Sequence, residues 1–177
     1  MRHFIAIDLP DSVLAELKPL LHNLPAGRPS GSEQIHLTLF FLGEIPESDK
    51  DAVVAALQGI ASSSFPLRVE GVGCFPSPHR PRILWAGLSH SASFLHLKQQ
   101  IDGALHPLGF LPDKKPFHPH LTLARIKNPH ATGIPSFMAQ YQNFSTEIFT
   151  VDSFHLYSSK LTPKGAIYTK IKSFPLL

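Results

Sequence analysis

The tetrapeptide His36-Leu37-Thr38-Leu39 recurs unchanged as His120-Leu121-Thr122-Leu123, 84 positions further along a chain of 177 residues. An identical repeat at half-chain spacing indicates a duplicated architecture. Side chains on a β-strand point alternately to opposite faces, so each histidine shares a face with the threonine two positions later. If two similar lobes oppose these faces, one phosphodiester-sized cleft receives two imidazoles and two hydroxyls, related by an approximate two-fold axis.

A single histidine-threonine pair has a simpler explanation. Threonine favours strands and histidine is tolerated there, so one such pair can be the solvated face of an amphipathic strand. For two identical pairs half a chain apart, we favour a shared function.

Composition places the chain among soluble globular proteins. Hydrophobic residues make up 43% and charged residues 16%, which predicts one two-lobed domain over residues 1–177. Cys74 is the single cysteine, so no internal disulfide forms and a reducing compartment is expected. The apolar run at residues 4–9 is broken by Asp8 and is too short for a signal peptide, and no stretch approaches a membrane span. We therefore expect a cytoplasmic protein without a membrane partner.

The net charge of the chain is only a weak indication of the kind of partner it binds. A net charge of +3 mildly favours anionic partners, and eleven histidines should raise the affinity for a polyanion as the pH falls.

Hydrophobic periodicity alternates between strand and helix along the chain, with seventeen prolines marking the connections. Strand patterns cover residues 4–9, 35–42, 67–75, 82–88 and 120–126. Helix patterns cover residues 13–24, 48–61 and 93–108. A β-hairpin is predicted from residues 144–157 and 166–174, with the turn at 162–165. This mixture predicts an α+β fold.

The repeat lies within two longer stretches, His36-Leu37-Thr38-Leu39-Phe40-Phe41-Leu42-Gly43 and Phe117-His118-Pro119-His120-Leu121-Thr122-Leu123-Ala124-Arg125. These stretches resemble the two signature motifs of the two-histidine phosphoesterase superfamily. Within it, the chain is most similar to the bacterial and archaeal RNA 2′,3′-cyclic phosphodiesterase family, also called 2′-5′ RNA ligase. The similarity runs through nearly the whole chain and includes residues 82–87, 156–159 and 165–168.

The resemblance implies a duplicated, bilobal α+β fold in which two mostly antiparallel sheets flank a central cleft, with helices outside. It implies metal-independent opening of an RNA 2′,3′-cyclic phosphate to a 2′-phosphate, and a slow, reversible, ATP-independent 2′-5′ ligation. The expected partner is RNA with a 2′,3′-cyclic phosphate end. No cofactor or metal is expected, and the protein is expected to act as a monomer.

His36 and His120 are the candidate catalytic residues. Opening a cyclic phosphodiester needs a base that takes a proton from water and an acid that protonates the leaving ribose oxygen. Imidazole suits both roles because it exchanges protons near neutral pH. The residues themselves do not distinguish the roles, whereas the resemblance makes His120 the base and His36 the acid.

Three further residues are candidates for binding phosphate. The hydroxyls of Thr38 and Thr122 can donate hydrogen bonds to the charged phosphate oxygens. Arg125 resembles the family's arginine after the second motif and can add a charge-assisted contact. Strict alternation, however, puts Arg125 on the face opposite His120 unless the strand ends or bulges.

A nucleobase needs an aromatic surface, and Phe40 is the candidate for it. Alternation places Phe40 on the face of His36, where its ring can stack on a base. Phe41 occupies the position equivalent to Arg125, so positive charge is expected on one side of the site.

Other interpretations stay open at this point. His118-Pro119-His120 could bind zinc, but no further close histidine, cysteine or carboxylate completes the site, so no metal is predicted. The cleft could act on a small cyclic nucleotide or an ADP-ribose cyclic phosphate. It could also bind RNA ends without turnover.

Overall fold

The computed structural model describes residues 1–128 and 130–177. In chain order these residues form β1 (Arg2–Ile7), α1 (Asp11–Glu16), α2 (Lys18–His22), β2 (Arg28–Pro29), β3 (Leu37–Glu44), α3 (Lys50–Gln58), β4 (Phe65–Leu67), β5 (Val69–Phe75), β6 (Ile83–Leu88), α4 (Ala92–Leu105), β7 (His120–Arg125), α5 (Ile134–Gln140), β8 (Phe149–Val151), β9 (Ser153–Thr162) and β10 (Gly165–Pro175). Short 3-10 helices precede β3 and α3 and follow α4.

The main sheet is antiparallel, with the strand order β10-β9-β1-β3-β7-β6-β5. Its two halves, β10-β9-β1-β3 and β7-β6-β5, join through the pair Leu37 and Leu121. Beyond this joint, β2 replaces β3 beside the end of β7. Strands β4 and β8 form a separate two-stranded sheet. The predicted α+β fold is confirmed, and the structure adds that the two expected sheets are the two halves of one continuous sheet, joined edge to edge at β3 and β7.

The helices pack against the sheet. Helix α4 contacts β3, α2 contacts β7, and α5 contacts β5. Along α4, the buried residues Phe94, Leu97, Ile101 and Leu105 recur at helical spacing and therefore form one apolar stripe. The hydroxyl of Ser91 accepts a hydrogen bond from the Phe94 amide, which explains where this helix begins.

Some predicted elements differ from the structure. The helix expected over residues 13–24 is the pair α1 and α2, because Pro19 near the start of α2 has no amide hydrogen to continue α1. The strand expected over 144–157 divides into β8 and the start of β9. Strand β2 and helix α5 were not predicted, since both are short. Among the described residues, no helix is long and apolar enough to cross a membrane.

Candidate active site

A β-bulge interrupts the first motif directly after its threonine. On β1, Ala6 pairs with Thr38 whereas Ile5 pairs with Phe40, so Leu39 is an extra residue without a partner. An extra residue reverses the alternation of the side chains that follow it. The first motif therefore presents different residues to the cleft than strict alternation predicts.

The second motif carries the same bulge at the equivalent position. Trp85 pairs with Thr122 and Leu84 pairs with Ala124, which leaves Leu123 without a partner on β6. Residues that pair across an antiparallel ladder share a face, and the shift brings Arg125 to the face of Thr122. The bulge thus removes the difficulty that strict alternation raised for Arg125.

The prediction that Phe40 forms a stacking platform is wrong. Phe40 is 5% exposed and packs in the core, where its ring centroid lies 5.3 Å from Lys98 Nζ. The bulge turns Phe41 toward the cleft instead, and its side chain is 75% exposed. Phe41 lies 6.3 Å from Phe4, and Phe4 stacks on His36 at 4.7 Å between ring centroids.

Aromatic rings hold His36 on two sides. Phe4 stacks on the imidazole, and the Tyr168 ring meets it edge-on at 5.1 Å. Tyr157 stacks on the ring of Phe4 at 5.2 Å, which extends the support behind the histidine. These contacts fix the plane of the imidazole.

The surroundings of His36 strongly disfavour its charged form. Burial lowers the pKa of His36 to about 4, and the positive charge of Arg125 acts in the same direction. A hydrogen bond with the backbone of Gln34 and the negative charge of Asp8 oppose this shift. In the free protein, His36 is therefore neutral at pH 7.

His120 occupies a similar environment in the other half. Its Nδ1 lies 2.7 Å from the carbonyl oxygen of His118, and the Phe75 ring meets it edge-on at 4.9 Å. When Nδ1 donates to that carbonyl, Nε2 is left to exchange a proton. Burial lowers the pKa of His120, with smaller contributions from His118 and Arg125, and the hydrogen bond to the His118 carbonyl opposes the shift.

The joint between the halves brings the two motifs together. Leu37 pairs with Leu121, and each directly follows the histidine of its motif. Continuing this antiparallel register by one residue sets His36 across from Thr122, and Thr38 across from His120. The pair at the joint therefore brings the two motifs onto adjacent strands, and the positive charge of Arg125 lowers the pKa of both imidazoles.

A polar network lies behind His36. The hydroxyl of Tyr157 donates to Asp8 Oδ1 at 2.6 Å, and Lys170 Nζ donates to Asp8 Oδ2 at 2.7 Å. His155 Nε2 approaches the same carboxylate at 3.5 Å. Burial disfavours ionisation of Asp8, but the two hydrogen bonds prevail and its pKa is lowered. This carboxylate is therefore a fixed negative charge near His36.

Four aromatic residues of the cleft had no role in the sequence predictions, namely Phe4, Phe75, Trp85 and Tyr168. Phe41 was considered there only as the counterpart of Arg125. Trp85 and Tyr168 lie in two stretches that carry the family resemblance, which was the available signal. Within residues 1–128 and 130–177, no three histidine, cysteine, aspartate or glutamate side chains cluster as a metal site requires.

Comparison with known proteins identifies the family. The model of the 2′-5′ RNA ligase superfamily matches residues 4–162. The RNA 2′,3′-cyclic phosphodiesterase of Archaeoglobus fulgidus is 35% identical, over 98% of this chain and 99% of the relative. The protein of that name from Thermus thermophilus is 34% identical, over 99% of this chain and 90% of the relative.

Solved structures agree with the sequence relatives. A crystal structure of a Thermus thermophilus protein is similar with a TM-score of 0.84 and 31% identity, covering 99% of this chain and 97% of that one. Escherichia coli LigT in complex with 3′-AMP is similar with a TM-score of 0.79 and 27% identity, with the same coverage. Since the family model spans most of the chain and the relatives match nearly end to end, the protein belongs to the 2′-5′ RNA ligase superfamily.

Proposed function

We propose that this protein hydrolyses the 2′,3′-cyclic phosphodiester at an RNA end to a 2′-phosphomonoester. The names of the curated relatives describe that substrate class, and the similar LigT structure holds an adenosine monophosphate. The observation that carries the proposal is the pair Leu37 and Leu121, across which the two histidine-threonine motifs meet. The reverse reaction, ATP-independent 2′-5′ ligation, belongs to the proposal because the same groups serve both directions.

In the proposed reaction, water attacks phosphorus and the bond from phosphorus to the 3′ oxygen breaks. One histidine accepts a proton from the water, and the other donates a proton to the departing 3′ oxygen. Following the family resemblance, we assign the first role to His120 and the second to His36. Ligation exchanges these roles.

The low pKa of His36 requires that the substrate itself helps to charge the acid. A phosphodiester anion beside the imidazole favours the protonated form and raises the pKa above its value of about 4 in the free protein. Arg125 lowers the pKa of the same ring, and its charge is offset when it binds the phosphate. Substrate binding and protonation of His36 are therefore coupled in this mechanism.

Thr38, Thr122 and Arg125 are the proposed phosphate ligands. Charge builds up on the nonbridging oxygens in the transition state, and each preorganised donor to them is typically worth about 10²–10³-fold in rate.

Acid, base and phosphate ligands all come from side chains, so the proposal includes no metal or other cofactor. One chain supplies both motifs, so we propose a monomer, and the single cysteine suits the cytoplasm.

The test is incubation with an oligonucleotide that ends in a 2′,3′-cyclic phosphate, followed by identification of the product isomer across pH 5–8. The expected product is the 2′-phosphate, with a rate that EDTA leaves unchanged. His36→Ala and His120→Ala should each lower turnover at least about 10²-fold while circular dichroism stays native.

Two experimental results would contradict the proposed function and indicate a different one. Binding of the cyclic end without turnover at any pH in this range would make the protein an RNA-end-binding module. Turnover confined to small cyclic nucleotides would make it a different phosphodiesterase.

A further inference from the structure

Two arginines face each other where β2 pairs with β7. Arg28 is the Cα partner of Arg125, and both side chains are exposed. Partners in an antiparallel pair share a face of the sheet, so Arg28 lies on the face that carries Arg125 and Thr122. Like charges directly opposite each other destabilise a strand pair, and an anion bound between them would offset that cost.

The tip of the β9–β10 hairpin is attached beside Arg28 and adds a third cation. The Arg28 guanidinium donates a hydrogen bond to the backbone carbonyl of Lys164, which lies in the turn. Gln34 Nε2 donates to the carbonyl of Ala166 at 2.8 Å and holds the next part of the hairpin. The Lys164 side chain is exposed and is free of these contacts, which use only its backbone.

Arg125, Arg28 and Lys164 thus form a row, here called the basic row, that begins at the histidines and ends at the hairpin tip. Within residues 1–128 and 130–177, no carboxylate forms an ion pair with any of the three. The proposed reaction assigns Arg125 to the reacting phosphate and gives no role to Arg28 or Lys164. A mononucleotide has no second phosphate to offer them.

We propose that Arg28 and Lys164 bind the phosphodiester backbone of the RNA leading to the reacting end, an inference that rests on the proposed function. Contacts to phosphates supply affinity without reading sequence. The basic row therefore selects polynucleotides over mononucleotides without selecting a base sequence.

The experiment compares a 2′,3′-cyclic mononucleotide with a cyclic-phosphate hexanucleotide, measuring kcat/KM against sodium chloride concentration. Wild type should favour the hexanucleotide and show a steeper salt dependence on it. Each lost contact should flatten the slope of log(kcat/KM) against log[salt] by about 0.7, the value for single strands. Arg28→Gln and Lys164→Gln should each do so, and their losses on the hexanucleotide should exceed those on the mononucleotide.

The variants separate charge from structure. Lys164→Gln keeps the backbone carbonyl that Arg28 uses, so the hairpin contact survives. Arg28→Lys keeps the charge without the guanidinium and should retain the slope. Lys18→Gln removes the same charge from an exposed position on α2 and should leave both substrates unaffected.

Failure of this inference is distinct from failure of the proposed function. Anisotropy of a labelled hexanucleotide ending in a 2′-phosphate measures binding without turnover. If Arg28→Gln and Lys164→Gln leave the salt slopes of binding and rate at the wild-type values, the basic row does not bind RNA, whatever the activity. If wild type binds this probe with the predicted slopes but hydrolyses no cyclic phosphate, the row is supported and the proposed reaction is not.

Discussion

Leu37 and Leu121 are Cα partners at the joint between β3 and β7, and each is at most 1% exposed. Their burial on the core side turns the preceding residues, His36 and His120, toward the opposite side. One buried pair therefore both seals the core beneath the joint and orients two catalytic candidates above it. The duplicated sequence becomes a single site because the copies meet at this pair.

Shortening Leu121 should reduce both stability and activity. Leu121→Ala leaves a cavity under the joint and should lower the free energy of unfolding by about 2–5 kcal/mol, measured by urea denaturation. Turnover should fall under conditions where the variant is still folded, because the histidines lose their common support. Leu161→Ala, at a position 66% exposed, should change stability by less than about 0.5 kcal/mol. Equal effects of the two substitutions would contradict this role of the joint.

Substitution of Phe41 should weaken substrate binding, whereas substitution of Phe40 should lower stability. Phe41→Ala should raise KM for the cyclic-phosphate substrate, because stacking on a base is worth about 1–3 kcal/mol, and should leave unfolding nearly unchanged. Phe40→Ala should instead cost about 3–5 kcal/mol of stability, as expected for a buried phenylalanine. Steady-state kinetics and urea denaturation of both variants measure the two effects. A normal KM for Phe41→Ala would show that its exposed ring does not contact the substrate.

The contrast between these two phenylalanines shows where sequence reasoning stops. The repeat predicted both motifs, and hydrophobic periodicity predicted the α+β fold, because both patterns are visible in the sequence. The bulges at Leu39 and Leu123 are not visible there, since each depends on how the neighbouring strand pairs. One unpredicted residue per strand was enough to misplace Phe40 and to leave the position of Arg125 unresolved.

Strand β2 shows a second reason why part of the site could not be predicted from the sequence. It consists of Arg28 and Pro29 and has no periodicity of its own, yet it takes up the edge of β7 that β3 leaves free. A two-residue strand is defined by its partner and not by its composition. The opposition of Arg28 and Arg125 therefore became visible only in the structure.

The pH dependence of kcat/KM should respond in opposite directions to the two charges that act on His36. Since the pKa of His36 is about 4 and that of His120 is below its ordinary value, the bell-shaped profile of the free enzyme should have both limbs below pH 6.5. Arg125→Gln removes a cation that lowers both pKa values, so both limbs should move to higher pH. Asp8→Asn removes an anion that raises the pKa of His36, so the limb set by His36 should move to lower pH.

The control for the charge prediction is Asp11→Asn, which removes an exposed carboxylate at the start of α1. It should leave the profile in place. Lower activity of Asp8→Asn with unmoved limbs would mean that the carboxylate only supports the structure through Tyr157 and Lys170.

Adding one methyl group at Gly73 should disturb the aromatic rings that surround His120. A Cβ added at Gly73 would overlap atoms Cζ2 and Cη2 of Trp85, whose ring lies 4.8 Å from His118 and 6.4 Å from His120 between centroids. Gly73→Ala should displace the indole and lower kcat/KM by as much as about 10²-fold, the effect of misplacing a reacting group by about 1 Å.

Trp85 is the single tryptophan, so intrinsic fluorescence reports its displacement directly. Gly103→Ala is the matched control, because a Cβ there meets nothing within 4 Å and the position lies inside α4. It should stabilise the protein by up to about 1 kcal/mol with unchanged fluorescence and activity. If Gly73→Ala shifts the emission spectrum but leaves kcat/KM at the wild-type value, the indole does not position His120, and the hydrogen bond to the His118 carbonyl is sufficient to hold that imidazole.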